Sequence, residues 1–283
     1  MRIRVDYETS YAYAEPARAV LQVLKVAPRD HASQRVVRWR VEVDADGRLR
    51  RGEDAFGNVQ HVFTLAGAAE RLRVRVWGEA EVGDGAGVLA GASERFPPGV
   101  FLRPTPLTAP DAALDALADA AAEAAGPEPL ARMHALMTAV RTRVAFRTGA
   151  TGAATTAAEA LGLGAGVCQD LAHVFIAGAR RLGAPARYVS GHLLRPDTPE
   201  QEAAHAWAEA WVVGLGWVGF DPANGVCPAE RHLRVAAGPD YLACAPVRGA
   251  RTGGGAERLE VRLRVEEAAG RGRPAPAHPE IAS

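Results

Sequence analysis

The chain contains 283 residues, with 33 basic and 33 acidic side chains and a hydrophobic fraction of 48%. This length suits one large or two modest domains, and the composition is typical of a soluble globular protein rather than of a disordered chain. Because the formal net charge is zero, the chain lacks the basic surface of general nucleic-acid binders and of membrane-surface proteins, so neither partner is expected.

Targeting and metal-binding signals are absent from the sequence. No run of about 18 apolar residues predicts a transmembrane helix, and the N-terminal residues have no signal-peptide pattern. The three cysteines, Cys168, Cys227 and Cys244, form no C-x-x-C pair, which argues against a disulfide framework and against a cysteine-rich zinc site. We therefore expect a cytoplasmic protein that needs no cofactor or metal.

Residues 1–85 are predicted to form a β-rich N-terminal domain. Apolar and polar side chains alternate in residues 3–7, 20–26, 37–43 and 72–76, which is the pattern of strands that bury one face. Turn dipeptides, Asp-Gly at 46–47 and Gly-Asn at 57–58, separate some of these segments. Several short strands without a helix predict an antiparallel sandwich or a small barrel.

Helices are predicted to follow a linker. Residues 86–110 are rich in Gly and Pro and are predicted to be this linker. Asp111 is predicted to cap an alanine-rich helix, and the Gly-Pro pair at 126–127 separates it from a second helix. A further helical pattern begins near Cys168, presents an apolar face and ends at Gly183.

The pattern returns to strands after that helix, in residues 186–194, 205–213, 217–221 and 259–265. Helices and strands are therefore combined in a second domain of the α+β class, over residues 111–265. Residues 266–283 contain the stretch GRGRPAP and are predicted to be a flexible tail.

Cys168 is the first candidate for a chemical role. It follows the glycine-rich run GLGAG and lies at the start of a predicted helix, where unpaired N–H groups and the helix dipole favour a thiolate. A small buried cysteine would fit the same position. The choice between these two interpretations depends on whether a base lies within hydrogen-bond distance of the thiol.

Two histidines are candidates for this base. His173 is five positions beyond Cys168 in the same helix, about 140° around the helix axis, so it is predicted to be structural. His205 begins the alternating segment HAWAEAW, and the segment WVGFD that ends at Asp221 follows. A hairpin turn centred near residue 213 would place His205 opposite Asp221, whereas a turn centred at 215 would pair Asp221 with Glu209. The spacing leaves both registers open.

Four segments resemble, in order and spacing, the core of bacterial transglutaminase-like proteins. They read GVCQDLAH from Gly166, PARYVSG from Pro185, HAWAE from His205 and GWVGFDPANG from Gly216. The resemblance spans roughly residues 120–250. Residues 1–85 resemble the N-terminal region that accompanies this core in the bacterial subfamily.

This resemblance implies a papain-like α+β core with a triad of Cys168, His205 and Asp221. Cys168 would attack the carboxamide of a glutamine or peptide, His205 would act as general base and acid, and Asp221 would orient the imidazole. The resulting thioester would be resolved by a primary amine or by water. A peptide or protein amide is therefore the implied substrate, and a primary amine is an implied acceptor.

Three further residues are predicted to line the substrate site. Gln169 and Trp207 belong to the resembling segments, and His192 stands where relatives often carry Tyr. The backbone N–H of Cys168 is expected to be one oxyanion donor. The tryptophan that serves as a second donor in animal transglutaminases has no counterpart, because no Trp lies between Trp77 and Trp207.

Three alternatives remain open at this point. A thiol peptidase or amidase would use the same thioester, and a non-catalytic scaffold would keep the fold in order to bind peptides. A zinc-binding module would draw its ligands from residues without tight pair spacing, namely Cys168, His173, His205, Cys227 or His232.

Overall fold

The computed structural model describes residues 1–268. The strands are β1 (Arg2–Ala27), β2 (Gln34–Val43), β3 (Arg48–Glu53), β4 (Val59–Val82), β5 (Ala145–Phe146), β6 (Ala165–Gly166), β7 (Ala186–Leu193), β8 (Glu200–Gln201), β9 (His205–Val212), β10 (Gly216–Phe220), β11 (His232–Gly238), β12 (Val247–Gly253) and β13 (Glu257–Glu267). The α-helices are α1 (Ala112–Ala125), α2 (Pro129–Arg143), α3 (Ala157–Leu163), α4 (Cys168–Arg181) and α5 (Tyr241–Cys244), and two short 3₁₀ helices are Pro98–Leu102 and Pro106–Thr108.

A seven-stranded antiparallel sheet forms the N-terminal part of the fold. Its order is β2-β4-β1-β13-β8, with β3 also paired to β4 and β12 also paired to β1. The predicted segments 3–7 and 20–26 both belong to the single strand β1, whose register shifts between Ala12 and Ala19. Apolar side chains from both ends of this strand, Val5 and Leu24, meet in one cluster. The predicted antiparallel β-rich region is confirmed.

The C-terminal strands belong to this same sheet, which differs from the predicted domain boundaries. Residues 259–265 were assigned to the second domain, but they lie in β13, which pairs with β1 from Ile3 to Tyr13. Glu266 and Glu267, assigned to the tail, also lie in β13. The rest of the predicted flexible tail, residues 269–283, lies outside the described residues.

The second part of the fold packs helices against a four-stranded antiparallel sheet of order β10-β9-β7-β11. The small side chains of Ala206, Ala208 and Ala210 in β9 share a core cluster with the apolar face of α4, so the helix can approach the strand closely. The α+β class is confirmed. Within residues 1–268 no helix is long and apolar enough to cross a membrane.

The predicted linker, residues 86–110, packs against this second part of the fold. The N–H of Leu89 donates to the carbonyl of Trp217, and the N–H of Gly219 donates to the carbonyl of Gly87, so the chain runs beside β10. Phe101 is buried with its ring edge-on to Trp217. Residues 86–110 therefore lack long regular elements, as their Gly and Pro content predicts, yet they pack against the core.

Candidate active site

Cys168 is the first residue of α4, and the segment before it is held by Asp170. The Asp170 Oδ2 atom accepts the N–H of Val167 at 2.7 Å and the hydroxyl of Thr151 at 2.6 Å. Gly166 leaves room for this carboxylate, because a Cβ atom there would lie 2.7 Å from the same oxygen. The first N–H groups of a helix have no intrahelical acceptor, so the Cys168 side chain lies at the end of α4 that favours an anion.

The hairpin of β9 and β10 brings His205 and Asp221 together, but in neither predicted register. Trp217 pairs with Trp211, so the turn is centred on residue 214, between the two predicted centres. Extending this register sets Asp221 opposite Trp207 and therefore diagonal to His205 on the same face of the sheet. The two side chains meet through this diagonal contact, and pairing with Glu209 is excluded.

Asp221 is fully buried and accepts several hydrogen bonds. Its Oδ2 atom lies 2.7 Å from Nε2 of His205, 2.6 Å from Nδ2 of Asn224 and 3.2 Å from Nε2 of His232. Its Oδ1 atom accepts the backbone N–H of Asn224 at 3.2 Å. The carboxylate is therefore held on both oxygens, and both rings donate to it from Nε2.

Buried hydrogen bonds set the protonation of this pair. Burial alone would lower the pKa of the His205 imidazole, but hydrogen bonds with Asp221 and Cys168 outweigh it and raise the pKa to about 9. Burial alone would raise the pKa of the Asp221 carboxyl, but hydrogen bonds from His205 and His232 hold it well below its usual range. Because Nε2 of His205 is bonded to Asp221, Nδ1 is the nitrogen that remains for Cys168.

The residues predicted to line the substrate site have different surroundings. Gln169 is partly exposed beside Cys168, and its side-chain amide donates to the carbonyl of Ala153 at 3.4 Å. His192 is only 5% exposed, and its ring lies 6.4 Å from that of Tyr7 in β1. His192 is therefore covered by the N-terminal sheet rather than open at a rim.

Trp207 is also covered, which corrects its predicted contact with substrate. It is 2% exposed and packs edge-on against the ring of His232, with the two centroids 5.4 Å apart. A Cβ atom on Gly191 would lie 2.6 Å from the indole. Trp207 thus fills the space behind the two histidines, and its exposed fraction is too small for a substrate-binding surface.

The ligands considered for a zinc-binding module are not brought together as a set. The Nε2 atom of His173 accepts the N–H of Tyr241 at 3.1 Å, and burial lowers the pKa of this imidazole to about 4. Within residues 1–268, one group of three potential ligands has its ligand atoms within 4.8 Å of one another, and it consists of His205, Asp221 and His232. Hydrogen bonds already join these three side chains.

Sequence reasoning did not predict that two further residues bond to Asp221; it assigned no role to Asn224 and considered His232 only as a possible zinc ligand. Asn224 follows Asp221 by three positions and donates its backbone N–H to Oδ1 of Asp221. Its place in the turn-forming segment DPANG is a signal that could have identified it. His232 comes from the start of β11, eleven positions after Asp221. No local sequence pattern links His232 with Asp221, because the loop between these two residues determines where the His232 ring lies.

Comparisons with known proteins identify the family suggested by the sequence motifs. The transglutaminase-like superfamily matches residues 116–222, and the bacterial transglutaminase-like N-terminal region matches residues 3–81. An uncharacterized protein of Mycobacterium leprae is 30% identical over 290 residues, which cover 93% of this chain and 98% of that protein. An uncharacterized protein of Mycobacterium tuberculosis is 38% identical over 94 residues, 30% of each chain.

A solved structure shares the fold over nearly the whole chain. The crystal structure of a protein from Cytophaga hutchinsonii, described as a candidate cysteine protease, superposes with a TM-score of 0.74 and 19% identity, covering 94% of this chain and 90% of that one. The fold is therefore that of a transglutaminase-like or cysteine-protease-like protein. The two family matches and the full-length relative show that this chain belongs to the transglutaminase-like superfamily, with the N-terminal region of its bacterial branch.

Proposed function

We propose that the protein is a transglutaminase-like enzyme that transfers the acyl group of a carboxamide through a thioester on Cys168. The observation that supports this most directly is the buried His205–Asp221 hydrogen bond of 2.7 Å. The same imidazole interacts with Cys168 at the start of α4. A carboxylate that orients an imidazole next to a thiol is the arrangement that nucleophilic catalysis requires.

In the proposed acylation step, the Cys168 thiolate attacks the carbonyl carbon of a glutamine side chain or of a peptide bond. The S–C bond forms, the C–N bond breaks, and the His205 imidazolium donates its proton to the departing ammonia or amine. The backbone N–H of Cys168 is the proposed donor to the developing oxyanion. Asp221 stays ionised, since hydrogen bonds hold its pKa below the usual range.

In the second step, a primary amine or water attacks the thioester. His205 accepts the proton of the attacking group, the S–C bond breaks, and Cys168 leaves as the thiolate. Transamidation and hydrolysis thus share the acyl-enzyme and differ only in the acceptor. Adding a fluorescent primary amine to the acylated protein separates them, because incorporation of the label requires transamidation.

The decisive experiment is intact-mass detection of an acyl-enzyme after mixing the protein with a library of glutamine-containing peptides. The wild type is expected to gain the mass of the peptide minus ammonia, and Cys168→Ala is expected to gain nothing. An adduct of equal yield on Cys168→Ala would refute the nucleophile. Peptide binding by the wild type without an adduct would favour the non-catalytic scaffold.

A further inference from the structure

His232 is a second buried imidazole on the carboxylate of Asp221. Its Nδ1 atom accepts the backbone N–H of Ala229 at 3.3 Å, so the proton of the neutral ring lies on Nε2. Nε2 in turn lies 3.2 Å from Oδ2 of Asp221. The main chain before β11 therefore fixes the tautomer in which His232 donates to Asp221.

Oδ2 of Asp221 thus receives three donors, from His205, Asn224 and His232. Each donor withdraws charge from the oxygen, so each one weakens the bonds that the others make. Asn224 also holds Oδ1 through its backbone N–H, and the main chain of Asp221 pairs with Val226. Asp221 should therefore keep its place without His232, while its remaining bonds become stronger.

The other charged groups near His232 have partners of their own. A cavity of about 40 Å³ beside the ring is lined by His31, Glu209 and Arg234, among others. Glu209 bonds to Arg234 and Arg187. Burial and the charge of Arg234 lower the pKa of His31 to about 4, so this ring is neutral at pH 7.

Two more titratable side chains face His205 itself. The Cys168 thiol interacts with its imidazole and raises its pKa. His192 lies close enough for the two rings to influence each other, and burial keeps the pKa of His192 near 4. Neither group contacts the Nε2 atom of His232, which is bonded to Asp221.

We propose that His232 is a positioning residue that acts through Asp221: by donating to the carboxylate oxygen that bonds His205, it limits how tightly this carboxylate retains the His205 proton. This inference rests on the proposed function of the triad. In catalysis, an imidazolium that is held too tightly would be a poorer acid toward the leaving amine. His232 would keep the proton available.

The test is the pH dependence of Cys168 alkylation by iodoacetate, measured by peptide mapping. This anionic reagent favours the thiolate–imidazolium pair, so the wild-type profile is expected to be bell-shaped, with a falling limb where the imidazolium loses its proton. His232→Phe keeps the ring volume against Trp207 but deletes the donor, and it is expected to move the falling limb upward by about half a pH unit. His232→Gln restores a donor and is expected to return the limb toward the wild-type position.

The outcomes separate the two levels of the proposal. A wild-type profile without a falling limb would overturn the thiolate–imidazolium pair, and with it the proposed function. A bell-shaped wild-type profile that His232→Phe leaves in place, or that both variants move equally, would overturn the role of His232 alone. Should His232→Phe fail to fold, ¹⁵N NMR of the wild type still decides, because an Nε2 of His232 that carries no proton contradicts the donation.

Discussion

In the proposed mechanism, the carboxylate of Asp221 orients the imidazole of His205. Asp221 accepts the proton of Nε2 of His205, so an amide at this position would present its own N–H groups or turn the imidazole into the other tautomer. Asp221→Asn should therefore lower the pKa of His205 and reduce the acylation rate by about 10²- to 10⁴-fold while the fold persists. Single-turnover formation of the acyl-enzyme measures this loss.

A cysteine outside the cluster provides the control for that measurement. Cys227 is half-buried, its side chain lies against Gly87, and burial raises the pKa of its thiol. Cys227→Ser should acylate at close to the wild-type rate. Equal loss of acylation in Cys227→Ser, or full activity in Asp221→Asn, would contradict the assigned roles.

The sequence predicts that His205 and Asp221 lie close together, but not the hairpin register that brings them together. Motifs and alternation single out Cys168, His205 and Asp221. Because side chains alternate between the two faces of a sheet, any hairpin whose turn is centred on a residue places residues 205, 207 and 221 on one face. A sequence cannot fix the centre of the turn, because Gly214 and Gly216 both have positive φ and permit several loop forms. Each predicted turn centre was one residue from the observed centre at residue 214, which shifts the partner of Asp221 by two residues.

At the scale of elements, the start of α4 depends on a close contact with Gly166. An alanine there would place Cβ 2.7 Å from Oδ2 of Asp170, the atom that holds Val167. Gly166→Ala should therefore lower the free energy of unfolding by about 1–3 kcal/mol and slow Cys168 alkylation. Denaturant unfolding and the alkylation rate check the two effects.

A second glycine isolates the effect of that contact. Gly162 lies in α3, and a Cβ atom there would meet nothing within 4 Å. Gly162→Ala should leave alkylation unchanged and stabilise the protein by up to about 1 kcal/mol, since alanine favours the helix. If both variants behave alike, the contact with Asp170 is not what orders the start of α4.

The strands behind the site are tied together by a buried ion network. Glu209 in β9 bonds to Arg187 at 2.7 Å and to Arg234 at 2.7 Å. Burial would raise the pKa of Glu209, but these two guanidinium groups lower it to about 2. Because the pKa is depressed on folding, the ion network stabilises the fold fully above about pH 4.5, and this contribution is lost as the pH falls toward 2.

Breaking this network should be costly. Glu209→Gln would leave the half-buried Arg234 without its carboxylate and the buried Arg187 with Glu94 alone, and it should lower the free energy of unfolding by about 3–5 kcal/mol at pH 7, with the difference from wild type shrinking at acidic pH. Glu81, which pairs with Arg35 at the surface, provides the matched control. Glu81→Gln should leave the free energy of unfolding close to that of the wild type, because an exposed ion pair contributes little. Equal effects of the two variants in urea unfolding would refute the special role of the buried network.

At the scale of the whole molecule, the N-terminal sheet is attached by side-chain amides to the part that contains the proposed active site. Gln34 accepts the N–H of Arg234 and donates to its carbonyl, and Asn58 makes the same two bonds with Ala237. These amides supply hydrogen-bond partners for backbone groups on the unpaired edge of β11, the strand that begins at His232. The N-terminal sheet therefore supports the strand that carries one of the histidines.

The sheet that β13 joins was the feature of the fold that the sequence predicted least well. Alternation identified the strand at residues 259–265, but it carries no information about which sheet a strand joins. Proximity in sequence favoured the second domain, whereas the structure pairs β13 with β1, about 250 positions away. Such a pairing depends on which apolar faces are buried together in the complete fold. A local sequence pattern contains no information about these distant contacts.

The same pairing predicts that the last strand stabilises both parts of the molecule. Leu263 in β13 is 3% exposed and shares a cluster with Val5 of β1 and Leu233 of β11, whereas Leu259 in the same strand is 53% exposed. Leu263→Ala should cost about 2–5 kcal/mol and lower the melting temperature in a single transition, because its cavity opens where the two sheets meet. Leu259→Ala should change stability by no more than about 0.5 kcal/mol. Two separate transitions in Leu263→Ala, with only the first one shifted, would show that the sheets unfold independently and that β13 serves the N-terminal sheet alone.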